Sequence, residues 1–320
     1  MVEPPAASLL TLADIRAAHA RIAPFVHRTP ILTSSSLDAL LGARLFFKCE
    51  NFQKVGAFKA RGAHNAVMSL DEAQARRGVV THSSGNHGAA VALAARNRGI
   101  AAFVVMPETA AAVKKAAVAR YGAQVTLCAA TLAARESTAQ RIMNATGAHF
   151  VHPYNDVRVM AGQGTTALEL LEDQPDLDMI VCPVGGGGHL SGVAVAAKAL
   201  SGRIRVVGAE PALADDARRS LRSGTIVAAG DPPTICDGLR SSLGDRSFAL
   251  IRAHVDDIVT AREETIISAM RLVWEILKIL IEPSAAVAVA VLLERALPIS
   301  AQRVGVILSG GNVDLDRLPW

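Results

Sequence analysis

Short apolar runs alternate along this chain with alanine-rich segments, and this alternation limits the possible folds more than any other feature of the sequence. The apolar runs are residues 44–48, 78–82, 101–106, 124–128, 179–184, 203–209 and 304–308. Runs that stay apolar at successive positions suit strands buried on both faces, as in parallel sheets. The alanine-rich segments have helical spacing and are residues 86–98, 111–121, 132–145, 190–200 and 264–277. Repeated strand–helix units predict an α/β fold with helices on both faces of a mostly parallel sheet.

The composition excludes several other classes of protein. Of the 320 residues, 51% are hydrophobic and 19% are charged, a balance that excludes an intrinsically disordered chain. The most apolar stretch, residues 276–293, is interrupted by Lys278, Glu282 and Pro283, so we expect no membrane span of roughly 20 apolar residues. Aromatic residues make up only 4% and the net charge of +4 is scattered, so we expect no nucleic-acid partner.

The cysteines and the N-terminal residues indicate the cellular compartment in which the protein is expected. Cysteines stand at positions 49, 128, 182 and 236 without a CxxC pair, and we interpret them as buried free thiols. The first ten residues, MVEPPAASLL, lack the basic region and the long apolar core of a signal peptide. Both features predict a cytoplasmic protein.

Four consecutive glycines, Gly185, Gly186, Gly187 and Gly188, separate a predicted strand from a predicted helix that begins near His189. Glycines let the backbone curl so that several N–H groups point at one anion, and the helix N-terminus adds a favourable dipole. We interpret this loop as a phosphate cup, with a flexible turn as the alternative. Neither GxxxxGK[ST] nor the dinucleotide-binding GxGxxG pattern is matched, so the phosphate should belong to another kind of ligand.

A second polar loop, SSGNHG at residues 83–88, also lies between a predicted strand and a predicted helix. Serine and asparagine side chains, together with N–H groups at a helix start, can hold a carboxylate or an oxyanion. The simpler interpretation is that Ser84 or Asn86 caps the helix. Capping explains one such residue, but not six small or polar residues in succession.

Lys59 lies among Ala57, Phe58 and Ala60, and a lysine desolvated by such neighbours has a lowered pKa and can form a Schiff base. A surface lysine is the alternative. The loop SGGN at residues 309–312 follows the last predicted strand, so it should lie at the same carboxyl edge as the other two loops. A lysine, a phosphate cup and polar loops at one edge predict a carbonyl-bearing phosphate cofactor, pyridoxal phosphate.

These motifs together resemble the fold-type II pyridoxal-phosphate enzymes, and among them the serine racemase and serine/threonine dehydratase family. The resemblance is carried in order by KCENFQKVGAFKARGA from residue 48, SSGNHG, AGQGT at 161–165, GGGG and SGGN. It implies two open, twisted, mostly parallel-sheet domains of the tryptophan-synthase-β-like fold, with the cofactor in the cleft between them. Residues 1–74 and 154–320 would form a large cofactor-binding domain and residues 75–153 a small mobile domain. A homodimer is implied as well.

The resemblance also implies roles for individual residues. Lys59 would form the Schiff base, Phe58 would pack beneath the cofactor ring, and Asn86 would hydrogen-bond the 3′-oxygen. Residues 185–188 would hold the phosphate, and Ser309 would face the pyridine nitrogen. The substrate-side residues would be Ser83, Ser84, His87, Arg135 and Ser242.

A divalent-cation site is implied by the same resemblance, because Glu210, the carbonyl of Ala214 and Asp216 match the family's spacing. Oxygen ligands suit Mg²⁺, with Ca²⁺ or Mn²⁺ as alternatives. On the residues alone, two acids before a helix are more often explained by capping of its positive end.

The implied activity is that of a pyridoxal-phosphate-dependent serine racemase that also acts as an L-serine and L-threonine dehydratase, by Cα proton abstraction and loss of water. Lys59 would be the base on one face of the substrate. Ser84, where many threonine dehydratases carry alanine, would be the acid on the other.

A threo-3-hydroxyaspartate dehydratase is the alternative, although the sequence does not place a cation for the second carboxylate. The loops SSGNHG and SGGN disfavour a β-replacement enzyme of the cysteine-synthase type, and the full catalytic set disfavours a binding protein without activity.

The sequence departs from the family pattern in two places. Ala89 and Ala90 stand where related enzymes commonly carry a glutamine near a nucleotide effector, although Tyr121 is retained. Tyr154 and Asn155 resemble the bacterial dehydratases more than the animal racemases. Control by a nucleotide is therefore left open.

Overall fold

The computed structural model describes residues 9–83, 85–110 and 112–320. The strands are β1 (Ile31–Leu32), β2 (Arg44–Cys49), β3 (Val79–His82), β4 (Ala102–Pro107), β5 (Gln124–Cys128), β6 (His149–Phe150), β7 (Met179–Pro183), β8 (Arg205–Pro211), β9 (Asp257–Ala261) and β10 (Arg303–Leu308). The helices are α1 (Leu12–Ile22), α2 (Ser35–Leu41), α3 (Lys59–Met68), α4 (Glu72–Arg76), α5 (Asn86–Arg98), α6 (Ala112–Arg120), α7 (Leu132–Thr146), α8 (Val157–Asp173), α9 (Gly188–Leu200), α10 (Asp216–Ser223), α11 (Asp245–His254), α12 (Glu263–Leu277) and α13 (Pro283–Leu293).

The described strands form two sheets. The six-stranded sheet has the order β1-β2-β10-β7-β8-β9, and the four-stranded sheet has the order β5-β4-β3-β6. Neighbouring strands run parallel in both sheets, except that β1 is antiparallel to β2. The predicted α/β class with two mostly parallel sheets is confirmed. The domain bounds given above, and the mobility of residues 75–153, stay predictions.

The six-stranded sheet is buried on both faces, which explains its apolar runs. In β10, Val304, Val306 and Leu308 join the core that contains α12 and α13, whereas Ile307 joins the core that contains α8 and α9. Successive side chains of a strand point to opposite faces, so each face needs apolar residues. Each such side chain contributes about 1.5–3 kcal/mol when it is fully buried.

Several local expectations shift by one or two residues. Helix α9 begins at Gly188, with Gly187 at its N-cap, rather than near His189. Helix α5 is capped by Gly85, so the interpretation of Asn86 as the cap is wrong. Strand β8 begins at Arg205 and continues to Pro211, because its last residues pair with β9.

The predicted buried thiols are present. Cys49, Cys128, Cys182 and Cys236 are free and buried. Burial raises the pKa of the Cys49 thiol to about 12, so this group stays neutral and behaves as a small apolar side chain. Among the residues that the structure describes, no helix is both long enough and apolar enough to span a bilayer.

Candidate active site

The loops that follow β3, β7 and β10 line one cavity of about 300 Å³. Parallel strands bring their carboxyl ends to one edge of a sheet, and ligands of open α/β sheets collect there. The volume suits a small-molecule ligand. The lining includes, of the residues expected from the sequence, Phe58, Lys59, Ser83, Asn86, His87, Arg135, Gly185, Gly186, Gly187, Gly188, Ser242 and Ser309. Ser84 lies outside the described residues.

Lys59 is the first residue of α3, and two backbone contacts place it at the cavity. The Phe58 N–H donates to the carbonyl of Ser309 at 3.1 Å, and Ala57 forms an isolated bridge with Gly310. The Lys59 Nζ donates to the carbonyl of Pro153 at 2.8 Å. Burial lowers the Lys59 pKa to about 8, despite the opposing effect of the Glu282 carboxylate. A fraction of this amine is therefore neutral near pH 7 and able to act as a nucleophile or a base.

Two stacked rings form a flat apolar wall beside Lys59. The Phe58 and His189 rings lie 3.8 Å apart with an interplanar angle of 6°, and the Lys59 Nζ lies 5.1 Å from the Phe58 centroid. Burial holds the His189 pKa well below its ordinary value, so the imidazole is neutral. A planar aromatic ligand could pack on the Phe58 face that lines the cavity.

The four glycines form a cradle that side chains would fill. A Cβ atom on Gly186 would lie 2.4 Å from the Tyr154 ring, and one on Gly188 would lie 2.5 Å from the Tyr154 carbonyl oxygen. Gly187 has a φ of +87°, a conformation that favours glycine. From behind the loop, the Ser247 hydroxyl donates to the carbonyl of Gly186 at 2.8 Å. The start of α9 opens onto the cavity, so its N–H groups can bind an anion.

Asn86 is held by a side-chain network at the cavity wall. Its Nδ2 donates to Glu282 Oε1 at 2.9 Å, and its Oδ1 accepts from Asn312 Nδ2 at 2.9 Å. A second cavity of about 330 Å³ also touches Asn86, and Ala89 and Tyr121 line it. Ala89 presents a methyl group to this second cavity, whereas a glutamine at that position would present an amide.

Three histidines near Lys59 are neutral at physiological pH. Burial, with help from Arg135, lowers the His82 pKa to about 4, and burial with the nearby His82 lowers the His152 pKa to about 4. Burial and the Lys59 charge lower the His87 pKa well below its ordinary value. The His87 Nε2 therefore carries the proton that it donates to the Val151 carbonyl at 3.1 Å. These rings can hydrogen-bond a substrate without adding charge.

Arg135 and Ser242 approach the cavity from other elements. Arg135 extends from α7, and its Nε is buried without a hydrogen-bond partner among the described residues. Ser242 Oγ accepts from the backbone N–H of Ala229 at 2.9 Å, which leaves its own hydroxyl proton free to donate. Ser83 Oγ accepts in the same way from Gly85 at 3.2 Å.

The expected cation ligands lie apart from this cavity, at the start of α10. Glu210 is the penultimate residue of β8, and its two carboxylate oxygens accept from the N–H groups of Ala217 and Arg218 at 2.8 and 2.9 Å. The capping interpretation therefore holds for Glu210. Both carboxylate oxygens of Asp216 are buried without a partner among the described residues. Burial raises the pKa to about 8 for Glu210 and to about 6 for Asp216.

A cation would relieve both acids, and the unpartnered oxygens of Asp216 fit one. The carbonyl of Ala214, in the turn just before α10, is the third expected oxygen. Within the described residues, no group of three or more His, Cys, Asp or Glu side chains is arranged as a metal site. Two carboxylates and a carbonyl would leave several positions to water, as Mg²⁺ prefers.

Sequence reasoning missed several residues that line the cavity. His82 is the last residue of β3, so the rule that ligands collect at carboxyl ends could have identified it. Glu282, Pro283 and Ser284 resemble a family motif that lines the site, although their spacing alone indicates only a helix start with Ser284 as a possible cap. In the structure Glu282 is the N-cap of α13 and reaches Asn86, whereas Ser284 Oγ accepts from the Gly238 N–H at 3.0 Å.

The cavity fits the cofactor that the sequence resemblance implies. The glycine cradle at the start of α9 suits a phosphate, and Phe58 offers a face for a planar ring. Lys59 presents an amine of lowered pKa for the carbonyl group. Asn86 and Ser309 remain at the wall as neutral hydrogen-bonding groups.

Comparisons with known proteins agree on one kind of chemistry. A family model described as pyridoxal-phosphate dependent enzyme matches residues 22–310. The beta-hydroxyaspartate dehydratase of Paracoccus denitrificans (strain Pd 1222) is 51% identical over 310 residues, which cover 97% of this chain and 98% of that protein. The serine racemase of Arabidopsis thaliana is 50% identical over 310 residues, with coverage of 95% and 94%. Among solved structures, that of maize serine racemase has a TM-score of 0.94 at 47% identity and covers 96% of this chain and 95% of that one.

Proposed function

Since this chain belongs to the family of pyridoxal-phosphate-dependent enzymes, we propose that it is a serine racemase that also dehydrates L-serine and L-threonine. The observation that carries the proposal is the meeting of Lys59, the glycine cradle and the Phe58 face in one cavity. The likeness to serine racemases supports the same reaction class. In this proposal Lys59 is the Schiff-base lysine and residues 185–188 hold the phosphate.

When bound, pyridoxal phosphate withdraws electrons from the substrate and makes its Cα proton acidic. Lys59 takes that proton at Nζ, because a pKa of about 8 leaves part of the amine unprotonated at neutral pH. Asn86 would help to hold the cofactor by a hydrogen bond to its 3′-oxygen. Ser309 would face the pyridine nitrogen with a hydroxyl rather than a carboxylate, and a hydroxyl would not hold a proton on that nitrogen. This arrangement favours prompt loss of the β-hydroxyl group.

Racemisation also needs an acid on the opposite face of the substrate, and we assign this role to Ser84. Ser83, His87 and Ser242 would bind the substrate beside it. The experiment is one incubation of the cofactor-loaded protein with L-serine and Mg²⁺, in which D-serine and pyruvate are both measured. We expect both products from the wild type, and neither from Lys59→Ala.

The Ser84→Ala variant separates the two reactions. It should form pyruvate from L-serine but no D-serine, because only the return of a proton to the second face needs Ser84. Ser137→Ala, at an exposed position of α7 outside the cavity lining, serves as the matched control and should keep D-serine formation. Persistent D-serine from Ser84→Ala would refute the two-base assignment.

A threo-3-hydroxyaspartate dehydratase is the second candidate, and one contact favours it. The unpartnered Nε of Arg135 at the cavity could pair with a second carboxylate, and the likeness to a beta-hydroxyaspartate dehydratase supports this. Hydrogen bonds to charged groups contribute about 1.5–3 kcal/mol. Arg135→Met should therefore lower kcat/KM for threo-3-hydroxyaspartate roughly 10- to 100-fold relative to serine. An equal loss for both substrates would assign Arg135 to the shared carboxylate instead.

We also propose a bound Mg²⁺ at Glu210, Ala214 and Asp216, supported by the unpartnered oxygens of Asp216. Its place outside the active cavity makes it a structural ion rather than a reactant. The family resemblance further supports a homodimer in the cytoplasm. Analytical ultracentrifugation at micromolar protein concentration tests the dimer, which a monomeric mass would exclude.

A further inference from the structure

The helix that begins at Lys59 is anchored on its far side by a buried guanidinium. Arg61 follows Lys59 by two residues, so it points roughly 200° around the helix from it. Arg61 is completely buried. It donates to both oxygens of Glu50 at 2.8 Å and to both oxygens of Glu169 at 2.7 Å. Two bidentate contacts fix the plane of the guanidinium, and with it the first turn of α3.

Lys48 completes this cluster from β2. Its Nζ donates to Glu169 Oε2 at 2.7 Å and to the carbonyl of Thr29 at 2.8 Å. The two cations and two carboxylates balance in charge, and every one of these side chains is at most 2% exposed. Glu50 lies in the turn after β2 and Glu169 in α8, so Arg61 ties α3 to both, and Lys48 ties β2 to the same Glu169.

A second contact holds the same turn of α3 without any charge. The N–H of Gly62 donates to Oε1 of Gln163, in the AGQGT motif of α8, at 3.1 Å. The two helices touch backbone to backbone there, because a Cβ on Gly162 would lie 2.6 Å from the Cα of Gly62. The N-cap residue Phe58 provides no side-chain cap. Gln163 therefore ties the backbone of the first turn of α3 to α8 by a neutral hydrogen bond.

We propose that Arg61 and Gln163 are positioning residues for Lys59, because they dock the first turn of α3 on α8 and so hold the Lys59 amine in the cavity. A lysine side chain has many rotamers, so a fixed backbone at Lys59 restricts the positions that its amine can take. The inference rests on the proposed role of Lys59 as the Schiff-base lysine. It assigns the AGQGT motif to docking rather than to contact with a ligand.

Two variants separate positioning from a simple effect of charge. Arg61→Lys keeps the positive charge but cannot bind two carboxylates in a fork. Lys48→Met removes a positive charge from the same cluster but leaves every bond of Arg61 in place. If the cluster acts by position, Arg61→Lys disturbs Lys59 and Lys48→Met does not. If it acts through its charge, the order is reversed.

The readout is the capture of pyridoxal phosphate by the full-length protein after hydroxylamine has removed the cofactor. Borohydride traps the adduct, and peptide mass spectrometry locates it at Lys59. The rate is measured from pH 6 to 10, together with the melting temperature. The charged and titratable groups that face Lys59 are the Glu282 carboxylate and the imidazoles of His87, His152 and His189, whose pKa values are lowered. These imidazoles stay neutral over this range, so the midpoint reports Lys59.

We expect a midpoint near pH 8 for the wild type, as burial dictates. In Arg61→Lys the midpoint should move towards the ordinary lysine value of 10.5, and the capture rate at pH 7.5 should fall by up to roughly 200-fold. Lys48→Met should keep the wild-type midpoint even where its melting temperature falls. Gln163→Leu, which changes no charge, should shift the midpoint in the same direction by a smaller amount.

The inference is overturned if Arg61→Lys and Gln163→Leu both keep the wild-type midpoint, or if Lys48→Met shifts it as far as Arg61→Lys does. Should Arg61→Lys not fold, Gln163→Leu alone decides between the same two results. A wild-type protein that captures no cofactor at Lys59 refutes the proposed function itself, so the two failures are distinguishable.

Discussion

Glu169 in α8 and Asp216 at the start of α10 are equally buried, each about 1% exposed, yet their pKa values move in opposite directions. Burial alone would raise both. For Glu169 the hydrogen bonds from Arg61 and the charges of Arg61 and Lys48 outweigh burial, so its pKa is lowered. For Asp216 burial prevails and its pKa is raised to about 6. Partners, rather than depth, decide whether a buried carboxylate is charged.

This difference separates two clusters. We call the cluster of Lys48, Glu50, Arg61 and Glu169 finished, because its charges are paired, and the cluster of Glu210 and Asp216 unfinished, because it lacks a cation. Around Glu169 the charges of two carboxylates and two cations balance, and nothing more is required. Around Asp216 two buried acids share one helix start, and the neighbouring Glu210 accepts hydrogen bonds from the backbone N–H groups of Ala217 and Arg218 rather than from a cation. The first cluster can hold a helix in place, and the second can receive a cation.

The largest effect should follow from breaking the finished cluster. Glu169→Gln leaves Arg61 and Lys48 facing the single charge of Glu50, and we expect a loss of about 3–5 kcal/mol in the free energy of unfolding at pH 7.5. Urea unfolding followed by circular dichroism measures it. Because the folded-state pKa of Glu169 is lowered, the contribution is present above its unfolded pKa of 4.5 and is lost as the pH falls below that value.

The matched control lies on the same helix. Glu172 follows Glu169 by three residues, but its ion pair with Arg28 is exposed, at 46% for both side chains. Glu172→Gln should therefore cost less than about 1 kcal/mol. Equal losses from the two variants would show that the buried cluster is no more than another surface pair, and the comparison with Asp216 would fall.

The different environments of Glu169 and Asp216 could not be predicted from the sequence. Seven of the ten described strands were predictable from continuous apolar runs, whereas β1, β6 and β9 were missed. The carboxyl-edge loops were predictable too, because parallel topology places loops that are distant in the chain at one edge. Arg61 and Glu169 are 108 residues apart, and nothing in their local patterns shows that they meet. Asp216 matched a family spacing, but only the structure distinguishes its unpartnered oxygens from those of Glu210.

Helix α8 illustrates why the rest could not be predicted. Its segment AGQGT contains two glycines, which destabilise a helix interior by about 1 kcal/mol each relative to alanine. Gly162 is required by contact with Gly62, and Gly164 by contact with Gly192 in α9, where a Cβ would lie 2.8 Å from a carbonyl oxygen. Tertiary contact thus reverses the local preference.

A smaller effect should follow from filling the unfinished site. Mg²⁺ should raise the free energy of unfolding by about 2.7 kcal/mol at a concentration of 100 Kd. Protons compete with the cation for Asp216 and Glu210, whose raised pKa values are about 6 and 8, so the stabilisation should be larger at pH 8 than at pH 5.5. Melting curves with MgCl₂, against NaCl at equal ionic strength, measure it. An equal shift with NaCl would exclude a specific site.

The smallest effect concerns Asp216 in the absence of metal, and its sign is opposite to that of Glu169. The unfolded pKa is 3.8 and the folded pKa is about 6, so the charged carboxylate penalises the fold increasingly as the pH rises from about 4 to 6, and fully above that. Asp216→Asn removes the charge but keeps a polar group that still lacks partners. In EDTA it should therefore stabilise the protein by about 1–2 kcal/mol at pH 7.5 and by almost nothing at pH 4, and it should abolish the response to Mg²⁺.

The neighbouring Asp215 is 37% exposed and paired with Arg219, so Asp215→Asn should change stability by less than about 0.5 kcal/mol at either pH. If Asp216→Asn instead destabilised the protein at pH 7.5, as Glu169→Gln should, both carboxylates would be anchors and the distinction between a finished and an unfinished cluster would be wrong.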